Sequence, residues 1–542
     1  MQASGLDTPT TSLSCATRYL VGGFFLTLLA LVFFTFDHYG ISSDEGLRNR
    51  YGKAVLSFYS SGFTDLSALR MGTASFYGGI FDTFAAAIVN LSPIDEYDTR
   101  RLIGGCLGVF GVFGVFRLAT LLTVPGVGLL SAALLAMVPG YWGAMFFNPK
   151  DVPFAVFYIW SLYFAFAAAR AFPRIHVAHV LGFGVAFGAL LGVKIVGVIV
   201  ALPLSILAAS VFVSAGRAGA STVVKTAFKF FVPSCLVAYV VMLAFWPWAH
   251  QSPVLGPWKA LVEFSDFSAW KKEVLVWGET YRWDQIPRTY LLSYLLVQLP
   301  ELLLLGLFLA SAFVARHLAT PKRFVSREWL EIAAIVTAAV LPPLIAILKG
   351  STIYSGYRHF MFCIPPLCIL GALALWGTWQ RLRARSLRIT VVAALLVYIC
   401  FHVATMVRLH PYEYTYFNQA VGGLRAAGDD FETDYWAISY REAAARLAEH
   451  VATLKQSGDP RTRFTVAVCG PSLSAAYFLK PPFEVVRLSA DPDFTIGYLR
   501  FPCLDLAGET IATVERDGVV LSVVRGRSSA ETIPIPPTSA AS

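Results

Sequence analysis

The sequence predicts a polytopic α-helical membrane protein that ends in a small extramembrane α/β domain. Of its 542 residues, 56% are hydrophobic and only 14% are charged, with a mean hydropathy of +0.62. A soluble chain of this length needs a larger polar share. The net charge of +9 is spread between apolar runs instead of being clustered, which favours membrane topology over nucleic-acid binding.

Apolar runs of about 17–25 residues, the length that crosses a bilayer, predict about eleven transmembrane helices. The run from 177 to 213 is too long for one helix, and it is divided at Lys194 because an ammonium group at mid-membrane costs about 3 kcal/mol. The predicted spans are 17–36, 101–122, 126–146, 152–170, 177–193, 195–213, 230–247, 289–315, 330–348, 359–378 and 389–407.

The distribution of basic residues predicts the orientation in an inner (plasma) membrane. With a cytoplasmic N-terminus, the inner loops hold thirteen Lys and Arg residues, and the short outer loops hold Lys150, Lys349 and Arg358. Positive residues favour the cytoplasmic side. Residues 1–16 are then a disordered cytoplasmic leader, and the acidic residues that follow the first span lie outside the cytoplasm. No small-residue cleavage site follows that span, so it is not a signal peptide.

The domain plan has a transmembrane domain at 17–407, with a long first outer loop at 37–100, and an extracytoplasmic α/β domain at 408–527. In the second domain a helix is predicted over Asp434–Leu454, and Asp517-Gly518 predicts a hairpin turn. The strand-like runs are Phe464–Val468, Phe483–Leu488, Phe494–Leu499 and Val519–Val524. The tail at 528–542 is predicted to be disordered. Cys469 and Cys503 could pair in an oxidising compartment or stay free.

An acidic pair, Asp44-Glu45, lies within a few residues of the first span. Ionised groups at a membrane boundary are costly to desolvate, which makes them functional candidates. The alternative is a surface helix that starts with favourably placed acids. Tyr51 and Lys53 follow on the same segment and are candidates for substrate and phosphate contacts.

A short turn around Asn148, Lys150 and Asp151 joins two spans on the same predicted face. The Asn-Pro step and Asp151 can simply end one helix and cap the next. The same turn would also bring a cation and a second acid close to Asp44.

A third cluster, Tyr357-Arg358-His359, precedes another span. The planar fork of Arg358 suits a phosphate group, and His359 offers a second donor or a proton carrier. Interfacial anchoring by Tyr and Arg is the alternative. Tyr435 and Trp436, near the second domain, could contact an acceptor or the membrane surface.

Together these clusters set carboxylates beside cations at one membrane boundary. A carboxylate can deprotonate a hydroxyl nucleophile, and Arg or Lys can stabilise a leaving phosphate. These are the needs of glycosyl transfer from a lipid-phosphate sugar whose polyprenyl tail stays in the bilayer.

Several of these motifs resemble the bacterial branch of the protein O-mannosyltransferase-like enzymes, which are GT-C-fold glycosyltransferases similar also to the lipid A aminoarabinose transferases. The motifs are Asp44-Glu45, Asn148-Pro-Lys-Asp151-Val-Pro-Phe154, Gly356-Tyr-Arg-His-Phe360, His410-Pro-Tyr-Glu-Tyr414 and Asp434-Tyr-Trp436.

The resemblance implies an inverting transfer from a polyprenyl-phosphate sugar donor to a protein, lipid or glycan acceptor on the extracytoplasmic side. It makes Asp44 the base or acceptor-orienting acid, Asp151 a second acid and Arg358 a phosphate contact. With Asp44 as the catalytic base, Asp151 and Glu45 are expected to orient the acceptor. Where relatives carry a Lys-Pro-Pro stretch, residues 76–81 read Phe-Tyr-Gly-Gly-Ile-Phe. Lys53, Lys150 or Arg358 must therefore supply the phosphate contact.

Three questions stay open. Glu45 and Asp151 could bind a divalent cation, although no other cofactor is predicted and no Cys/His spacing resembles a zinc site. A lipid transporter or flippase would need charges deep inside several spans, and only Lys194 approaches this. A non-catalytic assembly subunit would have little use for acids and cations on one membrane face.

Overall fold

The computed structural model describes residues 14–216, 219–265, 273–319, 326–498, 503 and 506–527. Most of the predicted leader and the whole predicted tail at 528–542 lie outside these residues. The first helix begins at Cys15, where the Ser14 hydroxyl accepts a hydrogen bond from the Thr17 amide. It therefore starts two residues before the predicted span.

Within the described residues, eight helical segments are long and apolar enough to cross a membrane. They are Cys15–His38, Glu96–Leu122, Asp151–Ala171, Ile195–Ala215, Ala220–Ala244, Arg327–Lys349, Arg358–Arg381 and Arg385–Leu409. Two bent helix pairs and the shorter apolar helix Val177–Val193 match the other three predicted runs. The chain is a multi-pass membrane protein, and the predicted fold class is confirmed.

Proline explains both bends. The helices Pro125–Ala136 and Pro139–Phe147 meet at 67°, and Tyr290–Gln298 meets the helix that starts at Glu301 at 118°. Pro139 and Pro300 follow the breaks, and proline disfavours helical geometry in the residue before it. Val138 and Leu299 are accordingly extended. The predicted spans 126–146 and 289–315 are thus two helices each.

The predicted break at Lys194 is confirmed. The helix ends at Val193, Lys194 is extended, and a 3-10 turn leads into the next helix. The ammonium group of Lys194 forms an ion pair with Asp151. The cation therefore has a partner at the helix end and does not lie alone in the apolar core.

For reference, the α-helices are numbered in chain order. They are α1 Cys15–Thr35, α2 Glu45–Ser60, α3 Ile80–Val89, α4 Glu96–Leu122, α5 Pro125–Ala136, α6 Pro139–Phe147, α7 Asp151–Ala171, α8 Val177–Val193, α9 Ala201–Ala215, α10 Ala220–Ala244, α11 Pro247–His250, α12 Leu255–Ser265, α13 Tyr290–Gln298, α14 Glu301–Leu318, α15 Arg327–Lys349, α16 Ile364–Arg381, α17 Arg385–Leu409, α18 Gly423–Ala427, α19 Tyr440–Gln456 and α20 Leu473–Ala476.

Residues 37–100, the predicted first outer loop, are folded around a buried ion cluster. Asp82 on α3 binds Arg48 on α2 (Nε–Oδ2, 2.9 Å) and Arg100 on α4 (Nη2–Oδ1, 2.8 Å), and all three side chains are buried. The helices approach closely because Gly52 has no side chain: a Cβ there would lie 2.2 Å from the carbonyl oxygen of Asp82.

Among the residues that the structure describes, seven strands form a hairpin and a five-stranded mixed sheet. They are β1 Glu273–Val276, β2 Glu279–Arg282, β3 Phe464–Val468, β4 Phe483–Val486, β5 Phe494–Tyr498, β6 Glu509–Arg516 and β7 Val519–Gly526. The sheet order is β4-β3-β5-β7-β6, in which β3 runs parallel to β4 and β5 while β7 runs antiparallel to β5 and β6. Helix α19 packs on this sheet.

The hairpin turn predicted at Asp517-Gly518 joins β6 to β7, and both residues have positive φ. Strand β6 was not among the predicted strands, because the charged residues at its two ends obscure the apolar pattern. Cys469 and Cys503 form a disulfide.

Candidate active site

Asp44 lies at the start of α2, where a short extended segment leaves the end of the first span. The hydroxyl group of Ser42 donates to the carbonyl of Phe147 (2.8 Å). This bond ties the segment to the end of α6, one residue before the Asn148 turn. The two predicted clusters, about a hundred residues apart in sequence, are therefore neighbours.

Two cations flank the carboxylate of Asp44. Its Oδ1 lies 3.2 Å from Nζ of Lys150, and its Oδ2 accepts a hydrogen bond from Nη1 of Arg358 (3.1 Å). Burial alone would raise the pKa of Asp44, but the charges of Lys150 and Arg358 outweigh burial and lower this pKa to about 2. Asp44 is thus an ionised carboxylate, and its two partners, an ammonium group and a guanidinium group, are groups that also bind phosphate.

Asp151 is the first residue of α7 and belongs to the same cluster. One carboxylate oxygen pairs with Lys194, and the other accepts from Nδ2 of Asn148 (2.8 Å). The side-chain oxygen of Asn148 in turn accepts from the amides of Lys150 (3.0 Å) and Asp151 (2.8 Å). Asn148 therefore shapes the turn and positions both charged neighbours.

Arg358 is held by rings as well as by Asp44. Its guanidinium carbon lies 5.2 Å from the ring centre of Tyr354 and 5.6 Å from that of Trp436. Stacking on aromatic faces fixes the plane of the guanidinium group. Its Nε is buried with no hydrogen-bond partner among the described residues. One N–H donor of Arg358 thus has no acceptor among the described residues.

Lys150, Asp151 and Arg358 line a cavity of about 480 Å³, and Asp44 reaches it only through its contacts with Lys150 and Arg358. The described charged side chains that line the cavity are Lys150, Asp151, Lys194, Lys349 and Arg358, and the ring of His359 lines it beside them. Its lining also includes the apolar residues Val196, Ile199, Pro342, Ile345, Ala346 and Phe362. These apolar residues come from helices that cross the membrane, so the cavity has both a cationic and a lipid-like lining.

Glu45 does not belong to this cavity. Its side chain is buried on the other side of the α2 start, where Oε2 accepts the amide of Ser42 (2.9 Å) and the nearest cations are Arg100 and Arg101. Burial raises the pKa of Glu45 to about 7 in spite of these arginines. Consecutive side chains on a helix point about 100° apart, which separates Glu45 from Asp44.

Three other predicted residues also lie away from the cavity. Lys53 is half exposed and pairs with Glu96 on α4. Tyr51 is buried, with its ring under the guanidinium of Arg48 (5.0 Å). The buried hydroxyl of Tyr357 lies against Gly140 on α6, where a Cβ would come within 2.2 Å of it. None of these three residues lines the cavity.

His359 and Trp436 are close to the cations, and Tyr435 is next to them. The ring of His359 packs edge-on against Tyr354, with centroids 4.6 Å apart. Trp436 covers Arg358 from the side of the second domain. Tyr435 faces a different cavity, described below.

Sequence reasoning missed Tyr77, Tyr354, Lys194 and Lys349 as lining residues. Lys194 had a visible signal, a cation in the middle of an apolar run, but it was interpreted only as a helix break. The ring of Tyr77 lies 5.4 Å from Nζ of Lys150. Tyr77 belongs to residues 76–81, the stretch that lacks the Lys-Pro-Pro pattern of the relatives.

Within the part of the chain that the structure describes, no three His, Cys, Asp or Glu side chains converge as a metal site would require. Glu45 and Asp151, the two acids considered for a divalent cation, belong to separate clusters.

No protein-family model and no curated protein sequence matches this chain at a significant level. Solved structures do match. The apo structure of ArnT from Cupriavidus metallidurans superposes with a TM-score of 0.51 at 16% identity, covering 94% of this chain and 98% of ArnT. A structure of the same ArnT bound to undecaprenyl phosphate gives 0.49, with the same identity and coverage.

The apo oligosaccharyltransferase of Archaeoglobus fulgidus superposes with a TM-score of 0.50 at 11% identity, covering 88% of this chain and 65% of that protein. Both proteins belong to the GT-C superfamily. The similarity to ArnT extends over nearly the full length of both chains, so it includes the membrane helices and the extramembrane sheet. This chain has the GT-C fold.

Proposed function

We propose that this protein is a membrane glycosyltransferase that moves a sugar from a polyprenyl-phosphate donor to a hydroxyl group of an acceptor on the extracytoplasmic side. One observation carries the proposal. Asp44 forms ion pairs with both Lys150 and Arg358, two cations that line a cavity with apolar residues from membrane-crossing helices.

The cations suit the donor phosphate. Arg358 can bind it through two N–H groups, and Lys150, Lys194 and Lys349 add positive charge around it. The apolar residues of the lining suit the first units of a polyprenyl tail. The fold agrees with such a donor, since ArnT, whose apo form shares it, has been solved with undecaprenyl phosphate bound.

In the proposed reaction the acceptor oxygen attacks the anomeric carbon as the bond from that carbon to the phosphate oxygen breaks. The electron pair leaves with the phosphate, where Arg358 and Lys150 stabilise the added charge. Asp44 takes the proton of the acceptor hydroxyl. A single in-line displacement inverts the anomeric configuration, as the family resemblance implies.

Donor binding would also activate Asp44. With a pKa of about 2, this carboxylate is a weak base while both cations face it. A phosphate that draws Arg358 and Lys150 toward itself weakens those ion pairs and adds a nearby negative charge. Both changes raise the pKa of Asp44 toward the range useful for proton transfer.

Asp151 acts in this proposal by positioning. Its carboxylate holds Lys194 and the Asn148 turn, and it thereby orients two of the cations for the donor. Glu45 has no acceptor-orienting role, because its carboxyl group faces Arg100 and Arg101. Activity in the presence of EDTA tests whether a divalent cation takes part.

The test uses purified protein in liposomes made from a lipid extract of the source cells, which supplies the polyprenyl-phosphate sugars and lipid acceptors, and adds the soluble envelope proteins and glycans of the same cells as further acceptors. Mass spectrometry follows the release of polyprenyl phosphate. We expect release by the wild type and at least a hundredfold slower release by Asp44→Asn, because general-base catalysis contributes about 10²–10⁴-fold. Asp37→Asn, an exposed acid of the same loop, is the matched control and should retain activity.

Full activity of Asp44→Asn would remove the base role. Movement of an intact donor across the liposome membrane without release would favour the flippase alternative. NMR of the anomeric centre of the product tests inversion, and retained configuration contradicts it.

A further inference from the structure

A second cavity lies on the far side of the Arg358 segment, between the membrane domain and the sheet. It has a volume of about 390 Å³ and is enclosed by the β1–β2 hairpin, residues 425–435 and the start of β7. The hairpin is fixed in place because the amide of Gly278 donates to the carbonyl of Asp430 (3.1 Å) and Trp277 packs on Phe431 (4.9 Å).

The second cavity has the opposite charge from the first. Its described lining includes four acids, Glu273, Asp429, Glu432 and Asp434, and one arginine, Arg425. A phosphate group would be repelled here. The aromatic rings of Phe431, Tyr435 and Tyr498 also line it. Rings that accept the C–H face of a pyranose, next to carboxylates that accept hydroxyl or ammonium hydrogens, are the chemistry that recognises a sugar.

The two cavities share a wall. Glu432 lines the second cavity, and its Oε2 accepts from the amide of Ser355 (3.2 Å) and the hydroxyl of Tyr290 (3.3 Å). Ser355 follows Tyr354, and both precede Arg358 in the turn that lines the first cavity. Tyr435 faces the second cavity while its neighbour Trp436 stacks on Arg358. These two short segments therefore contact both sites.

We propose that the second cavity binds a sugar ring of the acceptor, one that carries hydroxyl or amino groups and no phosphate. The identification of this sugar as the acceptor rests on the proposed function; the binding of a sugar does not. Asp434 is already saturated by Tyr414, Ser439 and Ile438. Glu273 and Asp429, which are exposed at the rim, are therefore the carboxylates available to the sugar.

The experiment measures binding to the full-length protein in nanodiscs by saturation-transfer NMR and calorimetry. The probes are glucose, mannose, galactose, N-acetylglucosamine, glucosamine and their disaccharides, with the 6-phosphates of the same sugars as anionic counterparts. We expect at least one unphosphorylated sugar to bind and its phosphorylated form to bind at least tenfold more weakly.

The variant Glu273→Gln with Asp429→Asn should weaken sugar binding at least tenfold and raise KM for a sugar-bearing acceptor while kcat stays within twofold. The matched control, Glu279→Gln with Asp430→Asn, changes the neighbouring acids of the same two segments that do not line the cavity. It should bind the sugar within twofold of the wild type.

The proposal is overturned if no sugar of the panel binds, if the phosphorylated forms bind equally well, or if the rim variant matches its control. Polyprenyl phosphate release, measured in parallel, separates the two proposals. If a sugar binds but no polyprenyl phosphate is released, the sugar site is supported and the proposed transferase function is rejected. If polyprenyl phosphate is released but no sugar binds, the transferase function is supported and the sugar site is rejected.

Discussion

At the scale of single residues, the adjacent carboxyl groups of Asp44 and Glu45 have opposite environments. Asp44 faces Lys150 and Arg358, and these cations lower its pKa to about 2. Glu45 is buried, and burial raises its pKa to about 7 even with two arginines nearby. Two acids whose pKa values are pushed apart have different roles. Asp44 is a charged group beside two cations, and Glu45 is a buried group beside Arg100 and Arg101.

Glu45 should make the stability of the protein depend on pH. The carboxyl group has an unfolded pKa of 4.5 and a folded pKa of about 7, so the folded state favours its protonated form. The contribution of Glu45 to the free energy of unfolding is fully present below pH 4.5 and is lost as the pH rises through 7. This loss is on the order of 3 kcal/mol.

Glu45→Gln keeps the shape of the side chain and cannot ionise. We expect the midpoint of unfolding in detergent to fall less for this variant than for the wild type between pH 5 and pH 8. The difference between the two curves isolates Glu45, because Asp434, whose pKa burial raises to about 6, is present in both proteins. Parallel curves would contradict the shifted pKa of Glu45.

The sequence predicted the charged residues that lie close to the ends of the membrane spans. Asp44, Lys150, Asp151 and Arg358 were all expected on one face, and the structure brings them together. The direction of Glu45 was not predictable, because it depends on the rotation of α2 against α4. That rotation is set by Asp82 and Arg100, whose pairing has no local signal.

At the scale of elements, the ion cluster of Asp82 with Arg48 and Arg100 joins α2, α3 and α4. It holds the helix whose first residue follows Asp44. The nearby carbonyl of Gly78 also accepts from Arg48 (2.6 Å), which ties the 76–81 stretch, and with it Tyr77, to the same cluster.

Asp82→Asn should therefore destabilise the whole outer loop. The change removes the counter-charge that Asp82 supplies to two buried guanidinium groups, and removal of one partner from a buried ion pair costs about 3–5 kcal/mol. We expect a large fall in the unfolding midpoint of the detergent-solubilised protein and faster proteolysis of the first outer loop.

Lys53→Gln is the control for this prediction. Lys53 lies on α2, the helix of Arg48, and pairs with Glu96 on α4. Its side chain is half exposed, and such a pair contributes about 0–1 kcal/mol. Equal effects of Asp82→Asn and Lys53→Gln would mean that the buried cluster does not hold the three helices together.

Elements were predictable where length and apolarity suffice. All eleven apolar runs correspond to helices or bent pairs, since a span must satisfy its own backbone hydrogen bonds. The β1–β2 hairpin could not be predicted from a local pattern. Its strands are four residues long, and it is held in place by Asp430, Phe431 and the hydroxyl of Tyr294, which bonds to the carbonyl of Leu275 (2.8 Å).

At the scale of the whole molecule, the contacts of the site fix how often the chain crosses the membrane between them. Asp44 follows the first span, Lys150 follows α6, and Arg358 precedes α16, yet the three meet. Lys194, at the end of α8, meets Asp151. These contacts require that each bent helix pair crosses the membrane once and that the short helix α8 also crosses it once. The total number of crossings is then odd. The sheet, which follows the last crossing, therefore lies on the same side of the membrane as Asp44.

The orientation of this arrangement can be measured by cysteine labelling. The six free cysteines are replaced by serine or alanine, and the disulfide is kept. Ser457→Cys lies at the exposed end of α19, and Ala384→Cys lies in the exposed loop between α16 and α17. The basic residues near Ala384 favour a cytoplasmic position for that loop.

We expect a membrane-impermeant maleimide to label Ser457→Cys in intact cells and to label Ala384→Cys only after the membrane is permeabilised. Each variant is the control for the other, because one membrane-crossing helix, α17, lies between the two labelled positions. The reverse pattern would put the site in the cytoplasm and remove the extracytoplasmic acceptor. Labelling of both in intact cells would contradict the crossings that bring Asp44, Lys150 and Arg358 to one face.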